Sequence, residues 1–329
     1  SFLALSVMVN VLIVSRNENQ SSEPRDNIHS KKKVVRLENE FERGNTSKKN
    51  GEYISRTIEA IWKNCFRFDD QPLTEESQLL EHSVKVYKES DEFRNLPGLS
   101  YRGFRGPWIE QRWINSFEVT PLQDFLPWVP LFIQWTDYGA RRGLKGTNRR
   151  YLTLKNWMVS TLRKDVLYFT VVQNDEGIGE ELQLLFRNIF TISSGGYGYA
   201  KIPLLSRPLQ GLPPARHDSD LLLFTGSLKT HALRVKCAAS LRKQFKREFK
   251  MYEGKNWIKV TENSRFVLCP RGFGRSAFKL YETFDLRRVP VYIYDDIPWL
   301  PYSNTLAWNK LVISLPVSKL NQLPKLLNK

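Results

Sequence analysis

Hydrophobic residues follow two spacings along the first half of the chain, and each spacing predicts a different kind of element. Over 52–63 and 75–87 they recur every three or four positions, which predicts helices with one buried face. Unbroken apolar runs predict buried strands at 131–135, 166–172 and 189–192, each ending in polar or glycine residues. Such runs are typical of a parallel sheet that is covered on both faces and carries loops at its strand carboxyl ends.

The same alternation restarts after 207–220, a segment rich in Pro and Gly without apolar periodicity, which we interpret as an interdomain linker. The second half is predicted to contain strands at 221–224, 265–269, 289–294 and 310–314, and helices at 231–249, 276–286 and 319–327. This pattern on both sides of a linker predicts an α/β protein with two doubly wound domains, 52–206 and 221–329. Ligands of such domains bind at strand carboxyl ends, and here also in the cleft between the domains.

The chain starts with an apolar run, 2–14, that is shorter than the roughly 20 residues of a transmembrane helix. Three interpretations are open: a signal-anchor that has lost its start, the apolar region of a secretory signal, and a buried strand or helix. No small-residue cleavage pattern follows Val14, which favours a signal-anchor over 1–15.

A polar and charged segment, 16–51, follows this run and has the composition of a disordered stalk. It contains two Asn-x-Ser triplets, which begin at Asn19 and Asn45 and are candidate glycosylation sites. Both triplets lie in the predicted stalk, which stands beside the predicted anchor, and this agrees with a lumenal stem.

Charge narrows the classes of partner. The 50 Lys and Arg residues against 34 Asp and Glu give a net charge of +16, and the pI is about 9.7. This excess indicates an anionic partner: nucleic acid, anionic lipid, a sulfated or uronic glycan, or a phosphorylated small substrate. Three cysteines exclude a disulfide-built mini-fold, and they do not define a pairing among Cys65, Cys237 and Cys269. The four histidines lie too far apart in sequence for a Cys/His metal cluster.

One segment, 266–282, combines a strand, a glycine-containing turn and a helix for which Ser276 is the predicted N-cap. Backbone N–H groups at that helix start form an anion site. Arg271 and Arg275 flank the glycines of the turn, and we expect their side chains to point at a phosphate that the turn encloses. The glycine spacing also fits a dinucleotide fingerprint, but the crowding with arginines and the place in the middle of a domain disfavour a nicotinamide or flavin enzyme.

At these residues the chain resembles the exostosin-like glycosyltransferases. The stretch 266–302 carries the resemblance, from Pro270-Arg271-Gly272 through Val289-Pro290-Val291 to Asp295-Asp296. Fainter similarity extends upstream to about Trp108. Family members usually continue beyond the position of Lys329 into a terminal helix, which adds to the case for a fragment without deciding between a fragment and a full-length protein.

The resemblance implies a GT-B-like fold of two Rossmann-like domains facing a cleft, and an inverting, metal-independent transfer from a nucleotide sugar, usually a UDP-sugar, without a cofactor. It implies a glycan or glycoprotein acceptor, a Golgi membrane protein of type II with its catalytic domain in the lumen, and no nucleic-acid partner. It assigns donor binding to residues of the two glycine turns and the following helix: Gly226, Ser227, Arg271, Gly272, Arg275, Ser276 and Glu282. The cations would neutralise the leaving group, and Glu282 would hold ribose hydroxyls. Asp295 and Asp296 would then not be a metal pair.

The catalytic base is left open by the sequence. An inverting transfer needs a group that takes the proton of the acceptor hydroxyl, and Asp137, Asp175 and Glu176 are candidates at predicted strand ends. For His231 a capping role is favoured over a phosphate contact. The alternative to an enzyme is a catalytically silent subunit that keeps the fold and binds a glycan or a partner glycosyltransferase.

Overall fold

The computed structural model describes residues 75–94, 108–139, 149–205, 209 and 220–327. The predicted anchor, the stalk with Asn19 and Asn45, the helix at 52–63 and nearly all of the predicted linker lie outside these ranges. Within them, no helix combines the length and the apolar character that crossing a membrane requires.

The first half forms a parallel sheet in the order β1-β2-β3-β4. Its strands are β1 (Trp128–Pro130), β2 (Leu167–Val172), β3 (Ile189–Ser193) and β4 (Ala200–Lys201). Its helices are α1 (Glu76–Glu89), α2 (Asp91–Arg94), α3 (Ile109–Phe117), α4 (Trp135–Gly139), α5 (Arg149–Thr161) and α6 (Glu180–Leu185), with a 3-10 turn at Leu122–Phe125. Because all four strands are parallel, their carboxyl ends lie together at the same edge of the sheet.

The second half forms another parallel sheet, in the order β6-β5-β7-β8-β9. Its strands are β5 (Asp220–Thr225), β6 (Phe249–Tyr252), β7 (Ser264–Pro270), β8 (Val289–Tyr294) and β9 (Ile313–Pro316). Its helices are α7 (Ala232–Phe245), α8 (Trp257–Glu262), α9 (Phe278–Asp285), α10 (Trp308–Leu311) and α11 (Leu323–Leu327), with 3-10 turns at Leu228–Thr230, Lys246–Glu248 and Val317–Gln322. The chain leaves β5 on one side toward β6 and returns on the other side to β7. Ligands of open α/β sheets bind at such a reversal of strand order.

Each sheet has an apolar core on both of its faces. In β2, Tyr168 and Val172 pack with helices α1, α5 and α6, whereas Phe169 and Val171 pack with α3 on the opposite face. In the second sheet, α7 and α11 cover one face and Leu280 of α9 packs on the other. Burial on both faces explains why the central strands are continuous apolar runs in the sequence.

The two parallel sheets confirm the predicted mixed α/β, GT-B-like class. Strands predicted at 166–172, 189–192, 221–224, 265–269 and 289–294 are present with ends within one residue. The strand predicted at 310–314 is displaced to Ile313–Pro316 because Trp308–Leu311 is helical.

Three local predictions are wrong. The strand expected at 131–135 lies earlier, at Trp128–Pro130, and a helix begins at Trp135. The helix expected over 231–249 ends at Phe245, because Lys246 takes a positive φ of 50° and the chain then enters β6. Ser276 is not the N-cap, since α9 begins at Phe278 and Ala277 precedes it without a side-chain cap.

Candidate functional site

A cavity of about 880 Å³ lies where the carboxyl ends of the two sheets face each other. The first half contributes Trp108 at the N-cap of α3, Thr136 on the first turn of α4, and residues of the loops that follow β2, β3 and β4: Gln173, Asn174, Asp175, Glu176, Gly195 and Leu204. The second half contributes the two glycine turns, after β5 and after β7, and the starts of the helices α7, α8 and α9. Gly226, Gly272, Ser276 and Glu282 of the predicted donor site lie in this lining, whereas Ser227 flanks it and caps the turn at Leu228–Thr230.

Arg234, on the first turn of α7, is the cation of the second half that faces the cavity with no counter-charge. Its Nε donates a hydrogen bond to the carbonyl of Arg271 at 2.9 Å, and its Nη1 donates to the carbonyl of Ser227 at 3.0 Å. Burial lowers its pKa. In the part of the chain that the structure describes, no carboxylate forms an ion pair with it. The guanidinium also lies over the ring of Phe224, 5.7 Å from its centroid. A half-buried cation with no carboxylate partner favours an anionic ligand.

The two glycine turns bring main chain close to Arg234. Gly226 has a φ of 137°, a conformation that side chains other than hydrogen rarely allow. A Cβ on Gly272 would lie 3.2 Å from Arg234 Nη2, so glycine at this position leaves room for the guanidinium beside the turn. The cavity therefore has a wall of main chain and one unpaired guanidinium.

Lys279 and Glu282 form a second polar element of the same wall. They lie three residues apart on α9, and Lys279 Nζ is 2.8 Å from Glu282 Oε2. The ammonium also lies 3.6 Å from the ring centroid of Trp257, a cation–π contact. These contacts fix a cation and a carboxylate side by side at the rim of the cavity.

Arg271 and Arg275 do not line the cavity. What the turn after β7 encloses is the Arg271 guanidinium itself: it donates to the carbonyls of Phe273 at 3.0 Å and Gly274 at 3.2 Å, and pairs with Asp295 at 3.1 Å. Arg275 reaches across to the first half, donating to the carbonyl of Gly196 at 2.9 Å. The structure therefore gives both arginines bracing contacts, and their predicted role in donor binding stays a prediction.

Asp295 and Asp296, the two acidic residues after β8, form ion pairs with Arg271 and Arg275. Arg275 Nε donates to Asp296 Oδ2 at 2.6 Å. Burial acts to raise the pKa of Asp296, but the hydrogen bond from Ile297 N and the contact with Arg275 outweigh it, so the pKa lies below its usual value.

His231 caps α7, because its Nδ1 accepts the hydrogen bond of Leu233 N at 3.1 Å, which confirms the capping role. Among the described residues, no group of three or more Cys, His, Asp or Glu is placed to hold a metal ion.

The three candidate bases have different surroundings. Asp137 is only 2% exposed, and its Oδ1 accepts the indole N–H of Trp108 at 3.1 Å. Asp175 and Glu176 both line the cavity, and Glu176 is exposed. Burial raises the pKa of Asp175, and the neighbouring Glu176 carboxylate adds to the rise against the opposing effects of a backbone hydrogen bond and Arg271. Asp175 thus combines access to the cavity with a pKa above its ordinary value.

Glu110 lies behind the same wall and is 0% exposed. One oxygen accepts Thr136 N at 2.6 Å and the other accepts Gln173 N at 3.0 Å, so the carboxyl joins the start of α4 to the loop that follows β2. Burial raises its pKa to about 7, although these hydrogen bonds act in the opposite direction. Both Thr136 and Gln173 line the cavity, which makes Glu110 the support of its acidic side.

The halves touch directly beside the cavity. Ser276 N donates to the carbonyl of Gly195 at 3.3 Å, and a Cβ on Gly274 would lie 2.1 Å from the same oxygen. The Arg275 guanidinium stacks on Tyr197 at 4.0 Å. Farther out, Lys201 Nζ donates to the carbonyl of Pro298 at 2.8 Å. The walls of the cavity are thus fixed against each other by main-chain contacts.

Sequence reasoning did not find two residues of this site. Arg234 stands in a helix with many exposed cations, and its sequence carries no sign that it turns inward. Glu110 stands in the first turn of α3, two residues after Trp108, where a carboxylate is ordinarily a favourable surface group. The available signal for Arg234 was its position at the start of the helix that follows β5 and its glycine turn, where ligands of such sheets bind.

Two comparisons with known proteins bear on this arrangement. The family model of the Exostosin GT47 domain matches residues 199–329, which confirms the resemblance over the part of the chain that carries it. A solved structure titled "Crystal structure of GtfA/B complex" has 12% sequence identity and a TM-score of 0.27 over 56% of this chain. The match spans 42% of that solved chain, and its TM-score is too low to carry an argument. The family match places Arg234, the two glycine turns and α9 inside the matched residues.

Proposed function

We propose that the chain is a glycosyltransferase whose second half binds the diphosphate of a nucleotide sugar at Arg234 and the glycine turns. The observation that carries the proposal is the Arg234 guanidinium, which faces the cavity without a carboxylate partner. The Exostosin GT47 match over the same half supports a glycosyltransferase family. A guanidinium beside open main chain suits a diphosphate, because it offers forked donors to two oxygens at once.

The donor in this proposal is a UDP-sugar, and the acceptor is a glycan or glycoprotein. Charge grows on the diphosphate as the glycosidic bond breaks, so Arg234 and Lys279 would act most strongly in the transition state. Glu282 has one oxygen 2.8 Å from Lys279, and its carboxylate would hold the ribose hydroxyls. Neither role requires a metal ion or a cofactor.

The acceptor would enter from the side of the first half, and the transfer would invert the anomeric configuration. Asp175 would take the proton of the attacking hydroxyl, since it lines the cavity and has a raised pKa. Glu176 is the second candidate on the same loop. Asp137 is the weakest, because its carboxylate is buried against Trp108.

The setting that we propose is the Golgi lumen, with the chain held in the membrane by the predicted anchor and stalk. The positive net charge of +16 would then face anionic glycans and nucleotide donors instead of nucleic acid. A partner glycosyltransferase is compatible with this setting.

Calorimetric titration of UDP into the wild type and into Arg234→Ala tests the donor site. A charged hydrogen bond is worth about 1.5–3 kcal/mol, so the variant should bind UDP roughly ten- to a hundredfold more weakly. Arg234→Lys should recover only part of the loss. Arg242→Ala is the matched control, since it removes an exposed cation from the same helix, and it should leave the affinity within twofold, about the scatter of such measurements. Equal UDP affinity in wild type and Arg234→Ala would contradict the donor site.

Incubation with mixed UDP-sugars and glycan acceptors separates an enzyme from a silent subunit. Release of UDP that depends on acceptor supports the transferase. A protein that binds UDP but never releases it by turnover would instead be the silent, glycan-binding relative.

A further inference from the structure

Phe273 is an exposed aromatic residue at the rim of the cavity. Its side chain is 70% exposed, whereas Trp108, Leu204 and Phe224 in the same lining are buried. It occupies the turn after β7, between Gly272 and Gly274. A single exposed apolar side chain is ordinary on a protein surface, so the inference depends on how this ring is held and on what lies beside it.

The backbone that carries this ring is fixed on both sides. The Arg271 guanidinium donates to the carbonyls of Phe273 at 3.0 Å and Gly274 at 3.2 Å. Gly274 packs against the first half so closely that a Cβ would lie 2.1 Å from the carbonyl oxygen of Gly195. The aromatic ring therefore projects from a braced turn, and a ligand that covers it would meet a preorganised surface.

The position of the turn decides which ligand fits. On one side, a Cβ on Gly272 would lie 3.2 Å from Nη2 of Arg234, the proposed diphosphate site. On the other side a Cβ on Gly274 would lie 2.8 Å from the Cβ of Asp175, the proposed base. Phe273 thus stands where the donor wall and the carboxylate wall join, which is where an acceptor hydroxyl must be presented.

We propose that Phe273 is the stacking platform for the acceptor: the apolar C–H face of a pyranose ring in a glycan covers the aromatic ring and so presents a hydroxyl near Asp175. The inference rests on the proposed function. The π-face is negative and attracts the polarised C–H groups of a sugar, as it attracts other positive edges. A nucleotide base could also stack on an aromatic ring, so the experiment must separate acceptor from donor.

The test uses a glycan array of neutral, sulfated and uronic oligosaccharides, read in the presence of saturating UDP, and calorimetry with the strongest oligosaccharide found. Phe273→Ala should weaken oligosaccharide binding about tenfold or more, the loss expected for truncating one aromatic contact. Phe273→Trp should retain binding. Tyr199→Ala is the matched control, since Tyr199 is a 52% exposed aromatic outside the cavity lining, and it should bind like the wild type.

UDP titrated alone into the same proteins makes the outcomes distinguishable. Affinity for UDP that is equal in wild type, Phe273→Ala and Phe273→Trp, together with the loss of oligosaccharide binding in the alanine variant, supports the acceptor platform. Unchanged oligosaccharide binding in Phe273→Ala overturns it, as does a wild type that binds UDP but no oligosaccharide. A tenfold loss of UDP affinity in Phe273→Ala also overturns it and assigns the ring to the donor base, which leaves the proposed function standing.

Discussion

Replacing Glu110 by glutamine removes one titrating carboxyl from beneath the cavity and keeps nearly the same shape. The carboxyl is fully buried and accepts Thr136 N and Gln173 N, one with each oxygen. In the variant, the amide oxygen can accept one of these N–H groups, and the amide nitrogen must face the other. The substitution therefore lowers stability by an amount that does not depend on pH, and it removes the pH dependence that Glu110 contributes.

That pH dependence follows from the raised pKa. Burial raises the pKa of Glu110 from its usual 4.5 to about 7. Between these values the folded protein holds a proton that the unfolded chain releases, so the contribution of Glu110 is fully present below pH 4.5 and is lost as the pH rises through 7. Since each pKa unit corresponds to about 1.4 kcal/mol, the loss amounts to about 3 kcal/mol in the free energy of unfolding.

Urea unfolding of wild type and Glu110→Gln, from below pH 4.5 to above pH 7, measures the contribution of Glu110 to the free energy of unfolding at each pH. The wild-type free energy of unfolding minus that of the variant should fall by about 3 kcal/mol across this range. Glu180→Gln, which changes an exposed glutamate of the same half, should give a difference without this fall. A difference between wild type and Glu110→Gln that stays constant with pH would refute the reasoning.

The remaining predictions concern the cavity and the contact between the halves. Asp175→Asn should lower turnover by about 10²–10⁴-fold while UDP affinity stays unchanged, as an assay of UDP release and a titration would show. Because burial raises the pKa of Asp175, kcat/KM should fall with decreasing pH from above the ordinary carboxylate range, and a limb at the ordinary value would argue against this base. Arg275→Ala should cost about 1–2 kcal/mol in urea unfolding, since it breaks the bond to Gly196 and the pair with Asp296, and an unchanged midpoint would contradict that bracing role.

The central strands of both sheets could be predicted from the sequence. They are buried on both faces, so consecutive positions are mostly apolar and the strand is an apolar run in the sequence. The edge strand β6 could not be predicted, because its burial is partial and Phe249 follows Phe245 at helical spacing. The end of α7 before β6 depends on the positive φ of Lys246, a conformation that a lysine in the sequence does not indicate. Helix α9 starts at Phe278, two residues after the expected Ser276, whose N–H is bonded to Gly195 across the cleft.

The site was predictable as far as main-chain geometry went. Glycine positions indicated where backbone comes close to a ligand, and Gly226 and Gly272 do lie in the cavity lining. Asp295 and Asp296 pair with Arg271 and Arg275, but the other acceptors are carbonyl oxygens, so the direction of each arginine could not be predicted. Those that hold Arg275 and Arg234 belong to Gly196 and Ser227, which only the fold brings near.

The contact between the halves has a genetic consequence. A Cβ on Gly274 would lie 2.1 Å from the carbonyl oxygen of Gly195, and a Cβ on Gly195 would lie 2.2 Å from the carbonyl oxygen of Asn174. A clash between side chains can be suppressed by trimming the neighbour, but here both obstacles are main-chain atoms that every amino acid carries. In a saturation screen, Gly195 and Gly274 should therefore reject substitution, and no second-site exchange at the contacting positions should rescue them. The fit between the turn after β7 and the loops after β2 and β3 therefore depends on the backbone and not on side chains that mutation could exchange.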